Sequence, residues 1–110
     1  MNDAVQPAAI AVIHRPELAR FEAPAAGRLA HADYRLESDA EGGVMRIYHT
    51  AVPLAAEGRG IAAALIAAAF AYAETNGLKV APQCSYVQTW LRRHPEMERL
   101  RARGGTPRSG

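Results

Sequence analysis

The run Glu57-Gly58-Arg59-Gly60-Ile61-Ala62-Ala63-Ala64-Leu65 sets two glycines directly before a long apolar stretch. A glycine turn at the mouth of a helix leaves several backbone N–H groups without intrahelical partners, and the helix dipole adds partial positive charge there. The chemistry this suits is the holding of a phosphate or diphosphate. Small residues at Gly58, Gly60 and Ala62 let an anion reach the amides, where a bulky side chain would hold it off. Three other side chains could act on what such an anion carries. Cys84 stands just ahead of Ser85, where the N–H groups of a second helix would favour a thiolate. His49 lies in the strand-like run 44–52, and an imidazole exchanges protons near neutral pH. Tyr86, two residues after Cys84, is a proton-relay candidate.

Other constellations carry less. His14, His31, His49 and His94 show no zinc-like spacing, and Cys84 has no second thiol near it, so no metal is expected. His31 and Asp33 share a strand face, with no partner that the sequence assigns. A Walker loop is excluded by the missing Gly-Lys-Ser/Thr. A Rossmann fingerprint is only partly met, because Gly58 and Gly60 are followed by Ala63.

These residues need elements to position them. Residues 10–14 predict a short strand closed by Arg15-Pro16. Residues 18–23 alternate, with Ala19, Phe21 and Ala23 on one face, and Pro24-Ala25-Ala26-Gly27 reads as a turn. Residues 28–37 alternate more clearly: Ala30, Ala32, Tyr34 and Leu36 against His31, Asp33, Arg35 and Glu37. A turn over 38–43 leads to the β-rich run 44–52, a central third strand of a meander. Pro53 stops it. A helix over about 60–76 is almost free of polar residues, so both its sides should be covered or nearly so. Asn76-Gly77 ends it, and residues 78–81 form a short strand before Pro82. Strand, crossover helix and strand make a right-handed βαβ unit with a parallel strand pair. Ser85-Tyr86-Val87-Gln88 fits a capping box, and Val87, Trp90 and Leu91 form a core stripe. Pro95 opens a last short helix ending at Leu100.

Composition bounds the rest. A chain of 110 residues with 49% hydrophobic content supports one packed domain, here residues 10–100, between a disordered 1–9 and a disordered basic tail 101–110. The uncharged stretch 61–73 is shorter than the roughly 18 residues of a membrane span. The absence of a secretory pattern in residues 1–7 and the single cysteine point to the cytoplasm. Net charge is +2, with arginines gathered after residue 91. Few aromatics accompany them, which argues against a nucleic-acid partner.

Three segments together resemble a known family: His49-Thr50-Ala51-Val52-Pro53, then Glu57-Gly58-Arg59-Gly60-Ile61-Ala62, then residues 78–87 with Cys84-Ser85-Tyr86-Val87, ending Arg93-His94-Pro95-Glu96. The chain is similar to the small, minimal branch of the GNAT N-acetyltransferase superfamily over residues 10–100. That resemblance implies an α/β (α+β) fold, an antiparallel meander followed by a βαβ unit and C-terminal helices. It also implies acetyl-CoA as cofactor, its diphosphate held by Gly58, Arg59, Gly60, Ile61, Ala62 and Ala63. Main-chain groups of Thr50, Ala51 and Val52 would bond the pantetheine arm in a wedge between parting strands. Cys84, His49 and Tyr86 would serve the reacting end, with an unidentified amine as acceptor. The chain departs from the family pattern in three places. Glu57 stands where Gln or Arg is usual, Ala51 where the small branch often carries Glu, and Trp90 and Leu91 where many members place a tyrosine acid. The missing tyrosine, Ala51 in place of Glu, and a chain too short for an elaborate acceptor pocket keep a second function open, a CoA-binding module with little or no turnover.

Overall fold

The computed structural model describes residues 10–103. Five strands form one sheet in chain order: β1 (Ile13–Arg15), β2 (Arg20–Ala25), β3 (Arg28–Asp39), β4 (Gly42–Ala51) and β5 (Lys79–Pro82). The first four are antiparallel, and β5 lies parallel to β4 after the crossover helix α1 (Ile61–Thr75). The second helix, α2 (Ser85–Arg93), follows β5 directly. This is the expected mixed sheet, meander first and βαβ unit second. Among the described residues, no helix is long and apolar enough to cross a membrane.

The hairpins follow local chemistry. Ala26 and Gly27 close β2 to β3 with φ of 54° and 78°. Two successive left-handed residues suit the sheet twist. Pro24 and Ala25, expected in that turn, are the last residues of β2. β3 runs on to Asp39, whose carboxylate accepts the Glu41 amide at 2.8 Å in the next turn. Ala30, Ala32 and Tyr34 are buried as the alternation requires, whereas Leu36, towards that turn, is exposed.

α1 packs Ile61, Leu65, Ile66, Ala69, Phe70 and Ala73 on the sheet. The expectation that both its sides are covered is corrected, since Ala63, Ala67 and Ala71 face outward. Alanine favours the helix without needing burial, so an apolar run did not require a second cover. The capping box at Ser85 is also corrected. Cys84, in extended conformation, is the N-cap; Ser85 is the first helical residue, and the Gln88 side chain donates to the Pro82 carbonyl at 3.1 Å. The cause lies in β4: the Ile47 carbonyl accepts both the Gln83 and Cys84 amides at 3.1 Å, holding Cys84 outside the helix.

Val87, Trp90 and Leu91 are buried as the stripe demands. Residues Pro95–Leu100 form a 3-10 segment. The tail expected to be disordered from Arg101 is ordered at its start. The Ala102 amide donates to the Val80 carbonyl at 2.7 Å, and Ala102 packs with Val44 and Ala81. Residues 1–9 and 104–110, expected to be disordered, lie outside the described residues.

Candidate functional site

The loop before α1 has the conformation its glycines allow. Gly58 and Gly60 have φ of 83° and 80°, the left-handed region that favours glycine. Gly60 is the N-cap, no side chain caps the helix, and the first intrahelical bond runs from Ala64 to the Gly60 carbonyl at 3.0 Å. The amides of Ile61, Ala62 and Ala63 therefore precede the helical ladder. They open onto a pocket of 220 Å³ lined by Val52, Glu57, Gly58, Gly60 and Tyr86, among others. A second pocket of 380 Å³ lies between α1 and α2, lined by Ile66, Ser85, Thr89, Trp90, Arg93 and His94. Ala62, Ala63 and Tyr86 line both, so the two form one groove with Tyr86 between its halves. Of the residues expected to hold a cofactor, Val52, Gly58, Gly60, Ile61, Ala62 and Ala63 line this groove, whereas Thr50, Ala51 and Arg59 do not.

The strands part where a cofactor arm would need them to. Pairing of β4 with β5 runs from Val44–Lys79 to Ile47–Pro82 and stops. Beyond it, Thr50 and Ala51 pair only with β3. Across the gap Cys84 Sγ donates to Thr50 Oγ1 at 3.4 Å, and Thr50 is buried.

His49 is elsewhere. Asp33 pairs with His49 and Tyr34 with Ile47, which leaves Tyr48 as an extra residue, a β-bulge. Residues that pair across strands share a face. Ile47 and Thr50 therefore lie on the helix-covered face with Tyr34 and Ala32, while His49 lies on the outer face with Asp33. Its ring centroid is 5.7 Å from that of His31. The expectation that His49 and Cys84 share one reacting end is corrected: Cys84 meets Thr50, and His49 meets His31.

That outer face carries a connected set of charges. Arg20 Nε donates to Asp33 Oδ1 at 2.8 Å, and His31 Nδ1 lies 3.2 Å from the same oxygen. Glu22 takes Arg15 at 3.2 Å and Arg20 at 3.7 Å. The Asp33 hydrogen bond is the main cause that raises the Arg20 pKa further. Next along, the bond from Arg46 holds the Glu37 carboxyl below its ordinary value. Part of the basic excess near the C-terminus is neutralised, Arg99 by Glu74 at 2.7 Å and Arg101 by Glu98 at 2.9 Å.

Sequence reasoning missed three things. The Thr50–Cys84 contact joins residues 34 apart, with no local signal. The bulge at Tyr48 left none either. The Trp90–His94 stack, centroids 4.1 Å apart, was visible as an i, i+4 pair; His94 Nδ1 lies 2.9 Å from the Trp90 carbonyl.

A diphosphate fits this loop: amides without helical partners, left-handed glycines and no competing side-chain cap. Comparison with known families agrees. The model of the GCN5-related N-acetyl-transferases matches residues 20–100, from the first residue of β2 to the end of the last 3-10 segment. With 81 of 110 residues matched, on a meander, a glycine loop and a parallel strand pair of the expected kind, this chain belongs to the GCN5-related N-acetyltransferase family.

Proposed function

We propose that this chain is an acyl-CoA-dependent N-acyltransferase that moves acetyl from acetyl-CoA to an amine. The observation that carries the reading is the uncapped N-terminus of α1, opening onto a groove that runs on to the start of α2. In this reading the amides of Gly58 and residues 60–63 hold the diphosphate. Arg93, at the other end of the groove, offers guanidinium donors to the remaining phosphate of the coenzyme. The parted strands take the pantetheine arm, and main-chain groups of Thr50, Ala51 and Val52 bond it there.

Acetyl-CoA supplies an activated carbonyl whose leaving group is a thiolate. The amine nitrogen forms the new C–N bond as the C–S bond breaks, and the proton lost by the amine must reach the departing sulfur. Cys84 stands at the wedge with its S–H directed to Thr50, placed to give a proton to that sulfur and regain one from the amine. Backbone N–H groups of the parted strand polarise the carbonyl. Tyr86, exposed on the groove between its two halves, is the second candidate for proton relay. His49, on the outer face, takes no part in this step.

One observation favours the second reading, a CoA-binding module. The positions where many relatives carry a tyrosine acid hold Trp90 and Leu91, both buried, and neither side chain can protonate a thiolate. One experiment separates the readings. Acetyl-CoA should raise the melting temperature in a concentration-dependent way, and thiol release should appear with at least one member of a broad amine panel and fall strongly in Cys84→Ala. A shift without thiol release selects the binding module. An unchanged melting curve at millimolar acetyl-CoA refutes both.

A further inference from the structure

We propose that His31, Asp33 and His49 form a binding site for a late first-row divalent cation, with Zn2+ as its reference ligand, on the sheet face opposite the groove. One nitrogen from each histidine and one carboxylate oxygen lie within 4.8 Å of one another. Tetrahedral zinc with ligand distances near 2.0–2.1 Å needs its ligand atoms about 3.3 Å apart. His31 and Asp33 already meet that spacing at 3.2 Å. Only His49 has to close in, and it is the exposed member of the three.

The backbone is fixed where it must be. Asp33 and His49 are register partners on β3 and β4, and His31 sits two residues before Asp33 on the same face. Asp33 is largely buried, and Arg20 orients its carboxylate through Oδ1, the kind of outer partner that ligating carboxylates have. The Arg20 charge does not oppose a cation alone, because Glu22 shares it and takes Arg15 as well. Arg15 and Arg20 thus balance Glu22 and Asp33. Two imidazoles and one carboxylate suit zinc and its neighbours and disfavour magnesium or calcium, which prefer oxygen. Three protein ligands leave a coordination position open to solvent, where water or an oxygen or nitrogen donor can bind.

The test uses the full chain, stripped with chelator and titrated with ZnCl2 by calorimetry, with Co2+ absorption as an independent readout of geometry. One equivalent should bind. His31→Ala and His49→Ala should each weaken binding by at least about tenfold, while MgCl2 gives no binding heat. His49→Ala changes an exposed side chain, so an unchanged melting curve of its metal-free form confirms that folding is intact. The site is refuted by any of three results: no binding at high-micromolar Zn2+, full affinity retained in either histidine variant, or affinity lost instead in Cys84→Ser.

Discussion

Two substitutions at Gly60 separate backbone strain from phosphate binding. Gly60 has φ of 80°, and a Cβ built there meets nothing within 4 Å. Gly60→Ala therefore costs only the left-handed conformation, about 1 kcal/mol. For a chain of this length that lowers the melting temperature by about 4 °C. Gly60→Asp carries the same strain more easily, and in the free protein its carboxylate gains about 0.3–1 kcal/mol from the helix N-terminus. Without ligand, the aspartate variant should be at least as stable as the alanine variant. Acetyl-CoA should reverse the order. At a hundredfold excess over Kd the wild type gains about 2.7 kcal/mol, close to 12 °C. A carboxylate roughly 4 Å from a phosphate charge opposes binding by about 4 kcal/mol at an effective dielectric of 20, more than that gain. Scanning fluorimetry with and without acetyl-CoA should show most of the shift kept in Gly60→Ala and none in Gly60→Asp. A wild-type shift in Gly60→Asp would refute the placement of the diphosphate.

Three further outcomes follow from features outside the loop. Burial holds the His14 pKa below 6.5, so below that pH the unfolded chain binds a proton that the folded chain does not. Stability should fall as pH drops below 6.5 and level off under the folded value; His14→Phe, whatever its overall stability, should lose that part of the slope in urea titrations at several pH values. Ala102→Asp puts a carboxylate among Val44 and Ala81, and should cost about 1–3 kcal/mol by urea denaturation, whereas removing residues 104–110 should leave acetyl-CoA binding unchanged. Ala26, at φ of 54° in a two-residue turn, is strained where asparagine is at ease; Ala26→Asn should raise the melting temperature by a few degrees.

The parts legible in the sequence were those written in short-range chemistry. Alternation over β3, the stop at Pro53, the glycine loop and the Asn76-Gly77 end of α1 each depend on neighbours within a few residues. The strand order and the parallel return of β5 follow from them. The candidate site was legible in the same way along the loop, where the residues that line the groove are consecutive or nearly so. What escaped depends on partners far along the chain. Simple alternation on β4 puts His49 with Met45 and Ile47, and Thr50 with Val44 and Arg46. The extra residue at Tyr48 exchanges the two, because a shift of one position moves every later side chain to the other face. The Cys84 cap moved for a similar reason, through a carbonyl of β4 that no capping rule can see. The stripe of exposed alanines on α1 shows the converse: apolar letters alone do not say that a surface is covered.

The surplus residue at position 48 also bears on how roles may be transferred between members of this family. Matching letters in the histidine–threonine pair do not guarantee matching directions. A relative with the same pair but an even ladder would turn its imidazole towards the helix-covered face and its hydroxyl towards the outer one. Strand spacing, counted from the paired tyrosine and isoleucine, is therefore the quantity to compare before any assignment at this pair is carried from one protein to another.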